Sequence, residues 1–420
     1  MASLTVCSQS FSGLGNAQAK ALGYSDLPIA VVPHPSGIRN RDELRTIAGQ
    51  CVEDIARQLQ DPGSKSRAAR ASDKPAPRAE LVEVPGDADE LNQFFIERKW
   101  GDGLPIIAPT RERVARMLKH TNRAPDEVVA TIAPAYRAAT VELIAINAVA
   151  AGCRPEYLPV LIAAAEAVGA REFHLQSIQA TTNPVAVWLV INGPIIEKLG
   201  VNYGNNCLGQ GNWANATLGR ALRLILQNIG GALPGDMDRA TQGQPGKISF
   251  CCAENEAENP WQALHVERGY KPAQSTVTVV GAEGTMNMHS YGKNADDILR
   301  VFADTMMHGP SNEYVHGGEP WIVLSPEHAE ILHDAGYSKA DVQQKLWELS
   351  KMQASRMTPE DMGRAQASRT AAYGPINTDT LLTIAHTPQD IAIIVAGGAG
   401  AHTVYIPCFG NTRSVTRAIA

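Results

Sequence analysis

Acidic residues and a histidine cluster near the middle of the chain, in the run AENEAENPWQALHVERG. Its charged side chains include Glu254, Glu256, Glu258, His265 and Glu267, which lie within fourteen residues. Carboxylates and a neutral imidazole that converge on one point can hold a divalent metal or exchange protons with a substrate. We therefore predict catalytic roles for Glu254 and His265, with Glu254, Glu258 and His265 as the ligands if a metal is bound.

The local conformation of this run decides which of these side chains can meet. His265 and Glu267 share a face only in an extended segment, whereas Glu254 and Glu258 share a face only in a helix. A capped turn, whose carboxylates face water or hold Arg268, is the alternative interpretation. The sequence leaves both open.

A glycine-rich turn, GQGNWA at residues 209–214, opens a segment with helical periodicity. Backbone N–H groups at a helix start can bind an anion, so we predict that this turn helps to bind the substrate. The residues assigned to it are Asn206, Gly209, Gly211 and Asn212. No clear strand precedes the turn and no acidic ribose partner follows at the required distance, so no nucleotide cofactor is expected. Tight packing is the alternative role of the glycines.

Amide and hydroxyl side chains crowd the run HLQSIQATTNP, which ends in a proline. The proline favours an extended residue before it, and the polar side chains would then orient a polar substrate. A loop whose hydrogen bonds are satisfied internally explains the run equally well. The predicted set is His174 as a catalytic residue and, for substrate binding, Gln179, Thr181, Asn183 and, further along the chain, Lys247.

The chain has seven cysteines, and no pair has the C-x-x-C spacing. This usage is typical of free thiols in a reducing compartment, so a cytoplasmic protein is expected. Cys207, Cys251 and Cys252 are candidate nucleophiles, although a buried structural cysteine is the commoner case. Cys251 and Cys252 face opposite ways if they lie on a strand. The glycine-rich run 396–410 offers N–H groups to an anion, but a tight turn between two strands is the favoured interpretation.

We expect the polar residues of the central stretch to meet in one cleft. If they were scattered singly among apolar residues, each buried polar group would need its own partner or cost roughly 1–3 kcal/mol. Around one solvated cavity they can satisfy one another, water and a ligand. The residues predicted to converge, with the glycine-rich turn at their border, are His174, Asn183, Asn206, Glu254 and His265.

The elements that position these residues divide the chain into two parts. Residues 1–60 have the pattern of a parallel β-α-β-α unit. Two strands do not form a stable sheet alone, so this unit is predicted to be incomplete, with an exposed strand edge or a pairing elsewhere. Residues 61–80 lack apolar periodicity and predict a flexible linker. Residues 81–420 predict a larger mixed α/β (α+β) domain, so the fold class is α/β.

Within this domain the sequence predicts short strands at residues 81–84, within 101–109 and at Trp321–Leu324. It also predicts that Thr110 caps a helix at 111–119 and that Ser325 caps the helix that follows it.

Composition limits the partners. The 420 residues carry a formal net charge of −6 and no basic stripe, which argues against nucleic acid. No apolar run reaches the ~20 residues of a membrane helix, so no membrane partner is expected. A hydrophobic content of 44% and a charged content of 19% are typical of a globular protein.

The beginning of the chain resembles a known family. TVCSQSF, AQAKALGYSDLPIAVVPHP and ELR, all within residues 1–60, are similar to the second half of the UGSC-type (seleno)protein domain. In that family an upstream segment carries a Gly-Asp-[Sec or Cys]-Gly-Ser-Cys motif. The resemblance implies that this sequence starts at an internal Met, downstream of a selenocysteine codon. A short subunit whose sheet is completed by a second chain is the alternative.

Longer runs extend this resemblance over most of the chain, among them GDGLP, HLQSIQATTNP and FCCAENEAENPW. The resemblance implies an enzyme subunit that cleaves a small polar or anionic substrate by redox or nucleophilic chemistry. The thiol or selenol would come from the upstream half or from a partner chain. A homo-oligomer is expected. The alternatives are a metal-assisted lyase or hydrolase centred on His265 with Glu254 and Glu258, and a non-catalytic structural subunit.

Overall fold

The computed structural model describes residues 3–60, 78–309, 311–410 and 412–420. The strands, in chain order, are β1 Thr5–Ser8, β2 Ile29–Val32, β3 Val128–Ile132, β4 Arg137–Thr140, β5 Ala186–Asn192, β6 Cys251–Ala253, β7 Thr276–Ala282, β8 Met286–His289, β9 Trp321–Leu324, β10 Met352–Gln353, β11 Leu381–Leu382, β12 Ala392–Val395, β13 His402–Ile406 and β14 Val415–Ala418. The α-helices are α1 Ser12–Ala21, α2 Arg41–Gln60, α3 Ala88–Glu97, α4 Arg111–Leu118, α5 Val141–Ala150, α6 Leu158–Val168, α7 Leu175–Gln179, α8 Ile195–Leu199, α9 Trp213–Asn228, α10 Leu264–Glu267, α11 Ala295–Met306, α12 Asn312–His316, α13 Pro326–Asp334, α14 Lys339–Leu349 and α15 Pro359–Tyr373.

The first part of the chain folds as the predicted β-α-β-α unit. β1 runs parallel to β2, with Thr5 opposite Ile29, and α1 connects the two strands. Within the described ranges β1 pairs with β2 alone, so this sheet has two strands. Val6 on β1 and Val31 on β2 are 52% and 48% exposed, which leaves apolar surface uncovered. Most of the predicted linker, residues 61–77, lies outside the described residues.

Two four-stranded sheets form the centre of the larger part, and the fold is of the predicted α/β class. The first sheet has the strand order β14-β7-β5-β6, and the second has the order β12-β9-β13-β8. In each sheet one parallel pair is followed by two antiparallel pairings. The parallel pairs are β5 with β6 and β9 with β12, so the two sheets have the same order of parallel and antiparallel pairings.

Side chains alternate along these strands between different cores. On β5, Leu189 and Ile191 contact the helices outside the first sheet, whereas Trp188 and Val190 point towards the second sheet. On β9, Trp321 likewise packs between the sheets. Because β5 and β9 are buried on both faces, their sequences are nearly continuous apolar runs rather than alternating ones.

Helices cover the outer face of each sheet, so the layers follow the order helix, sheet, sheet, helix. α5, α6 and α9 pack on the first sheet, and α11, α13 and α14 pack beside the second. α6 is apolar on nearly all sides because it lies between β3 and the strands β7 and β14. Of the helices in the described ranges, none has the length and apolar character that crossing a bilayer requires.

The two sheets exchange one strand each. β8 follows β7 along the chain but pairs with β13 of the second sheet, and β14 follows β13 but pairs with β7 of the first. The two segments touch where they pass. The Glu283 N–H donates to the Pro407 carbonyl at 2.8 Å, and the Phe409 N–H donates to the Gly281 carbonyl at 2.9 Å. We call this place, residues 281–283 and 407–409, the crossover.

Two short strands that the sequence suggests, at residues 81–84 and within residues 101–109, are not formed. Leu81 and Val82 are exposed, and the Ile106 N–H donates to the Asn92 side chain at 2.7 Å rather than to another strand. Residues with β-propensity form a strand only where a neighbouring strand can pair with them, and these segments have no such neighbour. The helix starts are predicted better, because Thr110 caps α4 and Ser325 caps α13 through their side chains.

Replacing Trp188 by Ala should destabilise the fold more than most single substitutions. The Trp188 ring stacks on Phe250 at 5.5 Å between centroids and meets Trp321 edge-on at 5.3 Å. Loss of a buried tryptophan costs about 3–5 kcal/mol of unfolding free energy. Chemical denaturation should show this loss for Trp188→Ala and Trp321→Ala, with the double variant losing less than their sum. Tyr291→Ala, at a 78% exposed side chain, is the control and should unfold like the wild type.

Candidate substrate cavity at the crossover

A cavity of about 400 Å³ lies beside the crossover. Its walls come from α7 with the residue before it, from α12, and from the connection between β13 and β14. Most of the lining side chains carry a hydroxyl, an amide or an imidazole. The lining residues are His174, Ser177, Asn312, His316, Phe409, Gly410 and Thr412.

Local conformation directs these side chains to one place. His174 has the left-handed conformation (φ 53°) between a short 3₁₀ turn and α7, so the chain turns sharply there. Asn312 and His316 are four residues apart on α12 and therefore share a face. Gly410 passes so close to α12 that an added Cβ would lie 2.9 Å from the Asn312 carbonyl. Only glycine fits there without displacing the cavity wall.

Glu283 fixes the amide on the cavity wall. Its Oε1 accepts a hydrogen bond from the Asn183 amide at 2.7 Å and another from the Asn312 amide. Burial raises the pKa of Glu283, while both amide donors lower it. Because Asn312 donates away from the cavity, its side-chain oxygen is left for a ligand that carries a donor.

Glu313, next to Asn312, is fully buried and belongs to the frame of the crossover. Its Oε1 accepts from the Cys408 N–H at 3.0 Å, and its Oε2 accepts from the Tyr405 hydroxyl. Burial raises the pKa of Glu313 to about 8, while these two donors lower it. The carboxyl is therefore mainly neutral at pH 7, which avoids the cost of an unpaired buried charge.

His316 is the group on the cavity wall best placed to move a proton. Burial lowers its pKa, and nearby Arg364 and Arg369 lower it further, so the ring is neutral at pH 7. Its Nδ1 is buried and, among the described residues, has no hydrogen-bond partner. A neutral imidazole that lines a cavity can accept a proton from a bound substrate.

The predicted acid–base pair lies elsewhere, where β5 and β6 end. Glu254 is fully buried and accepts three hydrogen bonds, from the Asn192 amide at 2.6 Å, the Asn259 amide at 2.8 Å and the Leu264 N–H at 2.8 Å. Burial raises its pKa to about 7. Since both oxygens are engaged, Glu254 holds the loop after β6. Replacing it should therefore cost stability.

The prediction of one shared cleft is wrong. Asn183 precedes β5, whereas Asn192 beside Glu254 ends it, and this strand of seven residues separates the two places by roughly 20 Å. His265 follows Glu254, with its Nδ1 3.5 Å from the Glu256 carboxylate. Thus His174 and Asn183 lie at one end of the first sheet, and Glu254 and His265 lie at the other.

The metal interpretation finds no support in this geometry. Glu258, the third predicted ligand, accepts a hydrogen bond from the Asn255 amide at 2.6 Å, which caps the turn locally. Across the described ranges no group of three or more His, Cys, Asp or Glu side chains is arranged to hold a metal ion. The run therefore has the capped-turn arrangement that the sequence left open.

The polar side chains of the glycine-rich turn before α9 form their hydrogen bonds locally. The Asn212 side chain caps α9 by accepting from the Asn215 N–H, and the Asn206 amide donates to the Gln210 carbonyl at 2.8 Å. Gly211 has a φ of 104°, which a side chain would strain, and a Cβ on Gly209 would meet the Asn206 amide. These glycines serve backbone geometry, and the turn lies far from the cavity because it follows α8, beyond the end of β5.

The other predicted binding residues have partners within the protein. Gln179 is buried and accepts from Arg223 at 3.4 Å, and the Thr181 hydroxyl accepts from the Asn183 N–H at 3.1 Å. Lys247 pairs with Asp238 at 2.8 Å. Of the predicted site residues, only His174 lines the cavity, and Asn183 is linked to the lining residue Asn312 through Glu283.

Comparison with known proteins bears on the first part of the chain. The model of the UGSC family matches residues 1–61. This N-terminal segment belongs to the UGSC family. No curated protein and no solved structure matches the chain significantly. The match covers the UGSC segment only, so the extension of the resemblance over the larger part stays a prediction.

The UGSC segment contacts the helix that borders the cavity. The Gln176 side-chain amide on α7 donates to the side-chain oxygen (Oε1) of Gln18 on α1 at 3.1 Å, and Gln176 in turn accepts from the Tyr136 hydroxyl. His174 and Ser177, on either side of Gln176, line the cavity. One short helix therefore joins the UGSC segment to the cavity wall.

Sequence reasoning did not single out most of the cavity. The missed residues are Ser177, Glu283, Asn312, Glu313, His316, Phe409, Gly410 and Thr412. Two signals were available: the polar run SNEYVHGG at 311–318 places an amide and a histidine four residues apart, and a lone glutamate interrupts VVGAEG. Neither reveals that α12 meets the crossover, because that contact depends on the strand exchange.

Glu313→Gln should make stability less dependent on pH. Folding raises the pKa of Glu313. The free energy of unfolding that this carboxyl group contributes is therefore fully present below about pH 4.5 and is lost as the pH rises to about 8. Relative to the variant, the wild type should lose about 1 kcal/mol of unfolding free energy per pH unit between roughly pH 5 and 8. Urea denaturation at several pH values measures this. Exposed Glu360→Gln is the control; a Glu313→Gln curve parallel to the wild type would contradict the neutral carboxyl.

Proposed function

We propose that the crossover cavity binds a small polar molecule, and that the chain is the substrate-binding subunit of an enzyme that cleaves this molecule with a thiol or selenol nucleophile. The observation that carries the proposal is the junction on α7. One face of that helix borders a polar cavity of about 400 Å³, and its Gln176 contacts the UGSC segment. A substrate in this cavity would thus lie beside a segment whose family is associated with thiol and selenol chemistry.

The cavity has the size and lining of a small-molecule site, since such sites occupy about 300–1,000 Å³ and carry a few placed polar groups. Ser177 and Thr412 offer hydroxyl groups, and Asn312 offers a side-chain oxygen held in place by Glu283. The Phe409 ring supplies an apolar wall. This mixture suits a compact molecule with several hydrogen-bonding groups rather than a lipid or a polymer.

Proton transfer in this proposal belongs to His316. Its neutral ring takes a proton from the substrate or from the attacking thiol, and returns it to the leaving group. Glu283 acts through Asn312 by holding the amide in one orientation, so it is a positioning residue. Glu313 stabilises the crossover and takes no part in the transfer.

The nucleophile is proposed to come from a UGSC-type segment of a second chain. Cys7, the thiol at the end of β1, has its pKa raised by burial, which makes it a poor nucleophile. The two-stranded sheet of the UGSC segment, with Val6 and Val31 half exposed, offers apolar surface for such a partner. All seven cysteines are free thiols, which suits a reducing compartment such as the cytoplasm.

His174→Ala and Ser177→Ala should each weaken the binding of small polar ligands. A library of amino acids, hydroxy acids, amides and amines is screened by thermal shift against the wild type, and affinities of the hits are measured by calorimetry. Loss of one hydrogen bond to a ligand should reduce affinity by about tenfold. His333→Ala is the matched control, since His333 is an exposed histidine like His174 but packs at Trp261, away from the cavity.

Glu254→Gln separates this proposal from a site at the other end of the sheet. It should lower the melting temperature but leave the affinity of the hits unchanged. Ligands that bind both cavity variants as tightly as the wild type, and lose affinity in Glu254→Gln, would show that the site lies where β5 and β6 end.

Val6→Glu combined with Val31→Glu should disrupt the association that the second chain requires. Charges placed on both half-exposed valines make burial of this sheet against another chain unfavourable. Sedimentation velocity should then show a smaller species than the wild type. Leu381→Glu, at an equally exposed leucine far along the chain, is the control. A wild type that is monomeric, or a double variant that sediments like it, would contradict an interface here.

A further inference from the structure

The two central sheets are built as two copies of one unit. β5 leads the first unit and β9 leads the second, and each pairs in parallel with one later strand and antiparallel with another. Trp188 on β5 lies opposite Val280 on β7, and Trp321 on β9 lies opposite Ile406 on β13. The register is therefore the same in both units, and the two tryptophans are equivalent residues.

The sequences of the two leading segments are also alike. Residues 184–194 are PVAVWLVINGP, and residues 319–327 are EPWIVLSPE. Each has a proline before the strand, a tryptophan within it, an apolar run after the tryptophan, and a second proline where the next helix begins. The shared register and the shared pattern both indicate a duplicated unit.

Equivalent residues of the two units contact each other. The edge-on pair of tryptophans joins one such pair. At the crossover Glu283 donates to Pro407, and Phe409, at the equivalent place in the other unit, donates to Gly281. The exchange of β8 and β14 is reciprocal as well. Reciprocal contacts of this kind are those of a two-fold dimer, so the larger part is a pseudo-dimer within one chain, with its axis at the crossover.

The cavity lies between equivalent helices of this pseudo-dimer. α7 and α12 each have five residues, and each precedes the proline and the leading strand of its unit. His174 and Ser177 line the cavity on the side of α7, and Asn312 and His316 line it on the side of α12. A ligand here is thus held by one wall from each unit, as at an interface between domains.

The two walls offer opposite hydrogen-bonding groups. On the α7 wall, the His174 imidazole N–H and the Ser177 hydroxyl can donate, and neither side chain is hydrogen bonded to another described residue. On the α12 wall, the Asn312 nitrogen is engaged by Glu283, so its oxygen is left to accept, and the neutral His316 ring can accept as well. Glu283 lies behind the α12 wall, where its charge opposes a ligand carboxylate.

We propose that the cavity binds a short acid end to end across the pseudo-two-fold axis, with its carboxylate on the α7 wall and a hydroxyl or amine group on the α12 wall. This inference rests on the proposed function, because it concerns the same cavity, and it adds the class of substrate: a short hydroxy or amino acid whose two polar groups lie at opposite ends. The donors of the first wall suit a carboxylate, and the acceptors of the second wall suit a hydroxyl or amine.

The test compares ligands that carry both ends with ligands that carry one. Binding of γ-hydroxybutyrate, γ-aminobutyrate, butyrate and butylamine to the full chain is measured by calorimetry, with ligand-observed NMR for weak binders. The two compounds with both ends should bind at least about tenfold more tightly than butyrate or butylamine, because each end adds a hydrogen bond.

Variants of the two walls assign the ends. Ser177→Ala should weaken butyrate and both two-ended compounds about tenfold and leave butylamine unchanged, whereas His316→Ala should weaken butylamine and the two-ended compounds and leave butyrate unchanged. Ser177 is exposed, so its variant should fold even if His316→Ala does not. Ser355→Ala, at an exposed serine that does not line the cavity, is the matched control.

The outcomes separate this inference from the proposed function. Equal binding of all four compounds, or a Ser177→Ala variant that weakens butylamine as much as butyrate, would overturn the end-to-end arrangement but not the cavity as a binding site. The same holds if none of the four binds while other small polar compounds bind and lose affinity in Ser177→Ala. If no compound is sensitive to Ser177→Ala, both proposals are wrong.

Discussion

The crossing of the chain between the two sheets is the constraint on which the rest of the larger part depends. At the crossover two segments pass each other in the interior, and each must satisfy its backbone groups while it leaves one sheet for the other. Glu283 and Phe409 do so with direct backbone bonds to the opposite segment, and the Cys408 N–H finds the Glu313 carboxyl. The crossover thus requires buried polar side chains close to the diverging strands. The cavity lies beside them because diverging strands leave space that no apolar side chain fills.

The two ends of the first sheet place buried carboxyl groups in different surroundings. At one end Glu254 is surrounded by amide and N–H donors and by nearby Lys339, so it stabilises a loop. At the other end Glu313 bonds to a tyrosine hydroxyl and one N–H, and burial keeps it mainly protonated at pH 7. Glu283, which is half-buried between Asn183 and Asn312, connects a carboxyl group to the cavity wall. The acidic residues that cluster in the sequence thus lie at the end of the sheet that is away from the cavity.

Much of the fold could be predicted from the sequence, because doubly buried strands are continuous apolar runs. Trp321–Leu324 was predicted as it is found, and the β-α-β-α unit of the UGSC segment was predicted with its parallel pairing. The short strands at 81–84 and within 101–109 were wrong, since propensity alone does not supply a neighbouring strand. For the candidate cavity, His174 and Asn183 were identified from their polar run, but Glu283 and the lining residues of α12 were not. These residues lie a hundred or more positions further along the chain and are brought close by an exchange of edge strands, which local sequence patterns do not reveal.

The strand exchange also governs the order in which the chain can fold during its synthesis. The first sheet is completed only when β14 reaches β7, and the side chains of Thr278 and Thr416 that meet there are 138 residues apart. During synthesis β5, β6 and β7 therefore emerge from the ribosome long before β14 has been made. In that interval the edge of β7 has no partner strand. Contacts this distant in the sequence slow folding, and an open apolar edge invites pairing with other chains. Neither sheet is expected to fold by itself, because each is completed by a strand that follows a strand of the other sheet along the chain.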